Sequence, residues 1–345
     1  KEYRDAKLLY NVKEEFNEKA NSKMQPKILF IGRGLPSGGH VSTCWSIGKA
    51  LQRSFPCSVS FVSYGAGSAF LRFSGASCLD LPEPISAVFT HRTFPGWELF
   101  ELQDYLDPVM LDLQPDLVVC DGELYVPTYC KTRGIPCISI ASPNYISLDF
   151  GPYKQYATLI AQLLNHSTLI LGYAARDCEP SPLLDTSLLS MVSPPMKYDR
   201  SELVPERIRE KYGFSEQDQI VLVYRGAGNI FTQEFLEESQ KIIDIPVNLF
   251  LTNLQYRYPH MKLIVVSGSL VDVPVHENIY FESHVDFMKL ASISSLVIAR
   301  AGRNVVYEMA YLGVPSILVG IDSQTDLCRN CEIAAQWKIA WPVNS

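Results

Sequence analysis

Short apolar runs recur along the chain and alternate with segments whose apolar residues are spaced as on one face of a helix. In the first part, runs rich in β-branched residues predict strands over residues 27–31, 58–63, 116–120, 137–140 and 168–171. The second part repeats the scheme, with strands predicted over residues 220–224, 262–266, 278–281, 296–299 and 316–319. Continuous apolar strands alternating with amphipathic helices are typical of parallel sheets covered by helices on both faces.

The pattern predicts two α/β domains, each a doubly wound parallel sheet of about five strands. A Pro- and Ser-rich stretch around Ser193-Pro194-Pro195 lies between them, so we assign residues 24–194 to an N-terminal domain and residues 195–345 to a C-terminal domain. A length of 345 residues fits two domains of about 150 residues each. Because ligands bind beyond the carboxyl ends of the strands in such sheets, we expect the site in the cleft between the domains.

Residues 1–23 form an N-terminal extension that differs from the rest of the chain. They are highly charged and carry Leu8, Val12 and Phe16 at intervals of four, as on one helical stripe. Met24 comes shortly before the first predicted strand. The extension is interpreted either as a fusion remnant or as an added docking helix.

The charge balance excludes some classes of partner. The chain carries 30 Lys and Arg against 37 Asp and Glu, a formal net charge of −7, and the charges are interspersed. Proteins that bind a phosphate backbone usually carry a basic patch, so the sequence argues against nucleic acid binding and does not indicate membrane association. The most apolar stretch, residues 158–175, is interrupted by polar residues, whereas a membrane span needs about 20 mostly apolar residues.

The nine cysteines are odd in number and scattered along the chain, and several lie in apolar runs. Buried free thiols in a reducing, cytoplasmic compartment fit this usage best. Cys328 and Cys331 have the spacing of a metal or redox pair, but no second pair completes a zinc site.

A glycine-rich turn with Ser37, Gly38 and Gly39 follows the first predicted strand and leads into a helix at His40. Glycines let the backbone approach a ligand closely, and the helix N-terminus supplies free N–H groups. The spacing differs from the G-x-G-x-x-G motif, which disfavours a nicotinamide cofactor. His40 is either a general base, kept neutral because the helix dipole disfavours the imidazolium, or a residue that caps the helix or bonds a loop.

Asp121 follows the strand predicted over residues 116–120 and precedes Gly122. An acid at the carboxyl end of a parallel strand points toward the ligand side of the sheet, where Asp121 would orient His40 and stabilise its protonated form. The alternative is turn chemistry, because Asp-Gly is a common turn pair.

Two further glycine-rich turns follow strands in the second half and indicate a diphosphate site, because free N–H groups and arginines at a helix start suit that ligand. Their candidate binding residues are Gly226, Gly228, Asn229, Arg300, Gly302, Arg303 and Asn304. Glu308 follows in the second turn of the last helix, among apolar neighbours. Its carboxylate either accepts hydrogen bonds from a ribose diol or lies on a solvated helix surface.

These motifs resemble those of the GT-B glycosyltransferases, in particular the MurG-like group that uses UDP-sugars. The run Arg300-Ala301-Gly302-x5-Glu308-x4-Gly313-x-Pro315 is similar to the donor-binding signature of that group. Ser37-Gly38-Gly39-His40 resembles its N-terminal Gly-Gly-His loop, and residues 115–122 and 134–136 are also similar. Together the similar stretches span most of residues 24–331.

The resemblance implies two Rossmann-like domains facing a cleft and a glycosyltransferase of the hexosyltransferase type. The C-terminal domain would hold a nucleotide-sugar donor, most simply a UDP-sugar, with the diphosphate on the two turns and the ribose on Glu308. His40 matches the position of a catalytic base, Asp121 that of its partner acid, and the acceptor would lie against the N-terminal domain. The family implies direct displacement with inversion of the anomeric centre, and neither a metal nor a separate cofactor.

The sequence departs from the family pattern after the last predicted strand. Aligned on Asn330, the family's Asp-Gln-x-x-Asn motif corresponds to Asp326-Leu327-Cys328-Arg329-Asn330, so the Gln that touches the sugar is missing. Asp322 and Gln324 are the nearby residues that would substitute for it. Family members usually continue into C-terminal helices, so we expect these helices either to be absent or to lie beyond Ser345.

Three functions fit these features. The first is inverting transfer of a sugar to an acceptor hydroxyl on a small molecule, a saccharide, a lipid or a protein. The second is a nucleotide-sugar 2-epimerase, which would need several acids in the cleft, and the third is a nucleotide-sugar-binding subunit active only with a partner. The single Gly-Gly-His turn favours transfer. Five aromatic residues of the N-terminal domain either line an acceptor pocket or belong to the core: Phe94, Trp97, Phe100, Tyr145 and Tyr153.

Overall fold

The computed structural model describes residues 25–35, 38–84, 96–149, 151–173, 178–224, 252–266, 278–282, 286–320 and 325–344. The chain divides into two compact units, Lys1–Pro195 and Met196–Ser345. The boundary lies one residue beyond the position assigned from the Pro- and Ser-rich stretch. The N-terminal extension, residues 1–23, lies outside the described residues.

The N-terminal unit contains a seven-stranded sheet in the order β3-β2-β1-β4-β5-β6-β7, and all its pairings are parallel. Its strands are β1 (Lys27–Gly32), β2 (Ser58–Ser63), β3 (Cys78–Asp80), β4 (Leu117–Asp121), β5 (Cys137–Ala141), β6 (Leu169–Gly172) and β7 (Leu189–Met191). Its helices are α1 (Gly39–Ser54), α2 (Gly65–Phe73), α3 (Leu99–Leu113), α4 (Val126–Thr132), α5 (Pro143–Ser147), α6 (Gly151–Gln155) and α7 (Ala157–Leu164).

The C-terminal unit contains a six-stranded sheet in the order β10-β9-β8-β11-β12-β13, again parallel throughout. Its strands are β8 (Ile220–Tyr224), β9 (Lys262–Val266), β10 (Ile279–Glu282), β11 (Leu296–Arg300), β12 (Ser316–Gly320) and β13 (Ala340–Asn344). The described helices are α8 (Pro205–Tyr212), α9 (Phe287–Ile293), α10 (Arg303–Leu312) and α11 (Thr325–Gln336), with a short 3₁₀ turn at Arg200–Glu202.

The predicted α/β class with two doubly wound, Rossmann-like sheets is confirmed, but the prediction of about five strands in each was wrong. The three missed strands are β3, β7 and β13, and each lies at the edge of its sheet. β3 and β7 have only three residues each, too few to show a hydrophobic period. β13 contains Pro342, a residue that argues against a strand in sequence and that sheets accept at an edge.

The sheet register shows what lies beside two of the glycine-rich turns, the one after β1 and the one after β11. β1 pairs with β4 so that Gly32 lies beside Asp121, at the carboxyl end of both strands. In the C-terminal unit, β11 pairs with β12 so that Arg300 lies beside Val319. Both central strands, β1 and β11, are anchored in buried apolar clusters, which fixes the position of the turns that follow them.

Two findings concern membrane and redox chemistry. Within the described ranges, no helix has both the length and the apolar character needed to cross a bilayer. All nine cysteines are free thiols, and Cys331 is buried with its Sγ 3.5 Å from the carbonyl oxygen of Leu318.

Candidate functional site

The structure brings His40 and Asp121 together in the N-terminal unit. Nδ1 of His40, in the first turn of α1, lies 2.6 Å from Oδ1 of Asp121, at the end of β4. The Asp121 side chain is fully buried and that of His40 is 13% exposed. Since a carboxylate only accepts hydrogen bonds, Nδ1 carries the proton, and Nε2 is left with its lone pair as the basic nitrogen.

Gly122 makes room for this pair. It has a φ of +86°, in the region that favours glycine. A Cβ at Gly122 would lie 2.9 Å from Nδ1 of His40 and 2.9 Å from the Cβ of Arg33. The Asp-Gly sequence therefore bends the chain after β4 and leaves room for the contact between Asp121 and His40.

Arg33 is a site residue that the sequence reasoning missed. Its Nη2 lies 2.6 Å from Nε2 of His40, and its Nη1 donates a hydrogen bond of 3.3 Å to the hydroxyl of Tyr145. Its backbone N–H donates to the carbonyl oxygen of Asp121 at 3.0 Å, which ties the turn to β4. Burial by itself lowers the pKa of Arg33, but the acidic groups around it raise that pKa above its ordinary value, so the buried guanidinium keeps its charge. The signal in the sequence was an arginine between two glycines directly after an apolar strand.

A second buried acid, Glu123, lies behind the pair and was not predicted as a site residue. It accepts hydrogen bonds from the hydroxyl of Tyr64 at 2.6 Å and from the backbone N–H of Trp97 at 3.1 Å. Burial raises the pKa of Glu123 to about 7, although the bond from Tyr64 and the charge of Arg33 lower it. Glu123 therefore titrates near neutrality inside the N-terminal unit.

The other predicted residues of the N-terminal turn have mixed positions. Gly38 is the N-cap of α1 and Gly39 is its first residue, whereas Ser37 lies outside the described residues.

The five aromatic residues named as acceptor-pocket or core candidates differ in burial. Trp97, Tyr145 and Tyr153 are buried, Phe100 is 55% exposed and so belongs to neither a core nor a closed pocket, and Phe94 lies outside the described ranges.

In the C-terminal unit, the predicted glycine-rich turn that contains Gly302 lies between β11 and α10. Gly302 is the N-cap of α10, and Arg303 and Asn304 are the first residues of the helix. Gly302 has an ordinary φ of −61°, and a Cβ built on it would meet nothing closer than 3.8 Å. The described residues around this turn therefore leave room for a side chain at Gly302. The residues Gly226, Gly228 and Asn229 of the other turn lie outside the described ranges.

Helix α11 is tied to the same turn. Nδ2 of Asn330 donates a hydrogen bond of 2.8 Å to the carbonyl oxygen of Ala301. Leu327, at the position where the family has Gln, is buried in the apolar core of the C-terminal unit, so its side chain faces away from solvent. Asp326 lies in the first turn of α11, and Asp322 and Gln324 lie outside the described residues.

Glu308 is half-buried on α10 and lies near the charges of Lys197 and Asp286. Burial raises its pKa to about 8, Lys197 lowers it in part, and Asp286 raises it further. Nζ of Lys197 lies 3.1 Å from Oδ2 of Asp286, which also accepts a hydrogen bond from the hydroxyl of Tyr198. Lys197 and Asp286 were not predicted, because they are far apart in sequence and carry no motif.

Within the described residues, no group of three or more His, Cys, Asp or Glu side chains is arranged to hold a metal ion.

The two Rossmann-like units have the fold of the GT-B glycosyltransferases. Residues 220–335 match the glycosyltransferase family 28 C-terminal domain. The structure is similar to that of UGT89C1 from Arabidopsis thaliana complexed with quercetin, with a TM-score of 0.61 and 16% identity over 93% of this chain and 85% of the other. The same Arabidopsis protein has also been solved with UDP-L-rhamnose.

Two bacterial relatives carry the name UDP-N-acetylglucosamine--N-acetylmuramyl-(pentapeptide) pyrophosphoryl-undecaprenol N-acetylglucosamine transferase. The protein of Exiguobacterium sibiricum is 22% identical over 85% of this chain and 78% of its own length. That of Exiguobacterium sp. is 28% identical over 35% of this chain, and the match spans only 32% of that relative. These findings confirm the resemblance to the MurG-like and UDP-glycosyltransferase group and indicate a glycosyltransferase.

Proposed function

We propose that this protein transfers a sugar from a UDP-sugar donor to an acceptor hydroxyl, with inversion and without a metal ion. The observation that carries the proposal is the contact between His40 and Asp121, in which a buried carboxylate holds the imidazole by Nδ1. This is the arrangement of a general base oriented by an acid. The match of residues 220–335 to a glycosyltransferase domain supports the donor side of the proposal.

The donor is assigned to the C-terminal unit. The N-terminus of α10, with Arg303 and Asn304, would bind the diphosphate together with the turn that holds Gly226, Gly228 and Asn229. The missing side chain at Gly302 supports a close approach of the phosphates to the backbone. Glu308 would bind the ribose hydroxyls, and Asp322, Gln324, Asp326 and Asn330 are the residues assigned to the sugar. The UDP-sugar named with two of the relatives supports uridine as the nucleoside.

The roles proposed for these residues define the reaction. Nε2 of His40 takes the proton of the acceptor hydroxyl as its oxygen attacks the anomeric carbon, and Asp121 stabilises the imidazolium that forms. The bond from the anomeric carbon to the diphosphate breaks, and the electron pair leaves with UDP. N–H groups of the α10 terminus and the charge of Arg303 stabilise the leaving diphosphate. One displacement of this kind inverts the configuration.

The test is a panel of nucleotide sugars with two kinds of acceptor and a condition without acceptor. The protein is incubated with each donor and with quercetin, with a lipid-linked N-acetylmuramyl-pentapeptide, or with no acceptor, and nucleotide release and sugar products are followed. Release of UDP that depends on an acceptor, with an inverted glycoside as product, supports the proposal. A new sugar epimer formed without an acceptor would instead identify an epimerase, and binding of the donors without turnover under all conditions would identify a binding subunit.

A further inference from the structure

Both ring nitrogens of His40 have partners in this structure. Asp121 holds Nδ1 at 2.6 Å, and Nη2 of Arg33 lies 2.6 Å from Nε2. An arginine guanidinium carries only donors, so it approaches a ring nitrogen that has a lone pair. Nε2 is the nitrogen that a base must offer to its substrate, and Arg33 therefore lies where the acceptor hydroxyl has to arrive.

Arg33 is an unusual buried cation. It is 6% exposed, and among the described residues no carboxylate forms an ion pair with it. Its Nε is buried without a hydrogen-bond partner in the same part of the chain. A buried charged donor without an acceptor is costly, so its place beside a base suggests a ligand that brings an oxygen.

We propose that the attacking oxygen of the acceptor inserts between Arg33 and His40, accepting a hydrogen bond from Nη2 of Arg33 and donating its own to Nε2 of His40. The inference rests on the proposed function and deepens it, because it adds a second catalytic residue to the same site. The contact between Nη2 and Nε2 is then the resting form of the site, closed until an acceptor separates the two groups. The hydrogen bond that Nη1 of Arg33 donates to the Tyr145 hydroxyl and the one that its backbone N–H donates to Asp121 hold the arginine in place for this exchange.

The bonds and charges balance in this arrangement. The O–H bond of the acceptor breaks and its proton goes to Nε2, while the oxygen forms a bond to the anomeric carbon and the diphosphate leaves with its electron pair. Negative charge develops on the attacking oxygen before the new bond is complete. The buried guanidinium of Arg33 is already aligned to stabilise that charge.

The charges around His40 make the effect of Arg33 measurable by titration. Asp121, from β4, favours the protonated imidazole, and Arg33, from the turn after β1, opposes it. Glu123 and the hydroxyl groups of Tyr145 and Tyr64 face the site through Arg33, and they remain in a variant that lacks only the guanidinium. Removing the cation leaves the carboxylate of Asp121 as the charge in contact with the ring.

The first arm of the test is nitrogen NMR of the His40 ring in the unliganded protein as a function of pH. We expect wild type to show protonated Nδ1 and unprotonated Nε2 at neutral pH. In Arg33→Met, the imidazolium should form at higher pH than in wild type, because the neighbouring cation is removed. Arg33→Lys, which keeps a cation and a donor, should titrate close to wild type. Arg72→Met is the matched control, since Arg72 is an exposed arginine of the same unit that pairs with Asp80.

The second arm is steady-state kinetics with the acceptor that supports UDP release in the panel of nucleotide sugars and acceptors. Arg33→Met should lower kcat/KM for the acceptor about 100-fold, with UDP affinity unchanged, and Arg33→Lys should have an intermediate value. An unmoved titration in Arg33→Met, or turnover within about 2-fold of wild type, would overturn the inference. If Arg33→Met fails to fold, Arg33→Lys alone decides, because wild-type turnover in that variant would contradict the alignment of the planar guanidinium. The NMR titration does not depend on sugar transfer. A protein that transfers no sugar would refute the proposed function, and the titration would still report the contact between Arg33 and His40.

Discussion

The imidazole of His40 lies against the backbone of Gly122, so closely that a Cβ on that glycine would come within 2.9 Å of Nδ1 and 3.0 Å of Cε1. The carboxylate that holds His40, Asp121, is the residue just before this glycine. The position of the base thus depends on the absence of a side chain at Gly122, and this dependence can be measured.

Gly122→Ala should misplace His40 and lower turnover about 100-fold, because displacements of about 1 Å at a reacting group have effects of that size. UDP affinity should stay at the wild-type value. The matched control is Gly134→Ala, at a glycine of the same unit that also has a positive φ, of +67°, but has no atom within 4 Å of a built Cβ. Both variants should lose about 1 kcal/mol of stability from backbone strain. Equal turnover in the two variants would show that the contact with His40 is irrelevant to the reaction.

The two glycines at the ends of α10 predict opposite effects. Gly302→Ala should lower the unfolding free energy by less than about 1 kcal/mol, the loss of a favoured N-cap residue, since its φ is ordinary and its Cβ would meet no described atom closer than 3.8 Å. UDP affinity should fall about 10-fold, because the methyl group keeps the diphosphate from the helix N-terminus. Gly313→Ala, at a φ of +72°, should lose about 1 kcal/mol of stability and keep its UDP affinity. Calorimetric titration with UDP and urea unfolding measure both variants, and unchanged UDP affinity in Gly302→Ala would remove this turn from the donor site.

Glu308 predicts a pH dependence of donor binding. Its pKa of about 8 means that the unliganded carboxyl is mostly protonated at neutral pH, whereas binding a ribose diol requires the carboxylate. UDP affinity should therefore rise as the pH increases through about 8, and Glu308→Gln should remove this dependence.

The deoxy analogue of UDP tests the same assignment at the level of one hydroxyl. Wild type should bind UDP about 10-fold more tightly than 2′-deoxy-UDP, because one hydrogen bond to a charged group is lost. Glu308→Gln should lose most of this preference. A preference that survives in Glu308→Gln would place the ribose elsewhere.

Glu123 predicts a pH dependence of stability. Its pKa is raised to about 7 in the folded protein, so the folded state binds this proton more tightly than the unfolded state does. The contribution is fully present below the ordinary carboxyl pKa and is lost as the pH rises through about 7. Between about pH 4 and pH 8, wild type should lose about 3 kcal/mol of unfolding free energy relative to Glu123→Gln. Urea unfolding of both proteins at several pH values gives this difference, and parallel pH curves would show that Glu123 is not the titrating group.

The sequence predicted the central strands well, because buried parallel strands are marked by continuous apolar runs. The strand predicted over residues 27–31 is β1 (Lys27–Gly32), and that over residues 116–120 is β4, displaced by one residue. The contact between His40 and Asp121 followed from a general rule, that the carboxyl ends of adjacent parallel strands meet at one edge. Edge strands such as β13 were not predicted, because Pro342 and the exposed Trp341 are typical of a loop in sequence.

The contacts of long side chains could not be predicted from the same patterns. Arg33 was assigned no role, since a pattern of residues gives the position of an arginine backbone and not where its guanidinium lies. The cluster of Lys197, Asp286 and Glu308 combines residues from the start of the C-terminal unit and from two of its helices, and only the fold brings them together. Leu327 differs from these residues, because its departure from the family motif was visible in the sequence. The structure adds that its side chain is buried in the apolar core of the C-terminal unit.

The division of labour between the two units is tested most directly by His40→Ala, with acceptor-dependent UDP release and UDP affinity measured on the same preparation. The N-terminal unit should supply the base and the C-terminal unit the donor site, so turnover should fall by about 10²- to 10⁴-fold while UDP affinity stays within about 2-fold of wild type. Turnover retained near the wild-type rate would contradict the role of His40 as base. Loss of UDP affinity together with turnover would contradict the assignment of the donor to the C-terminal unit.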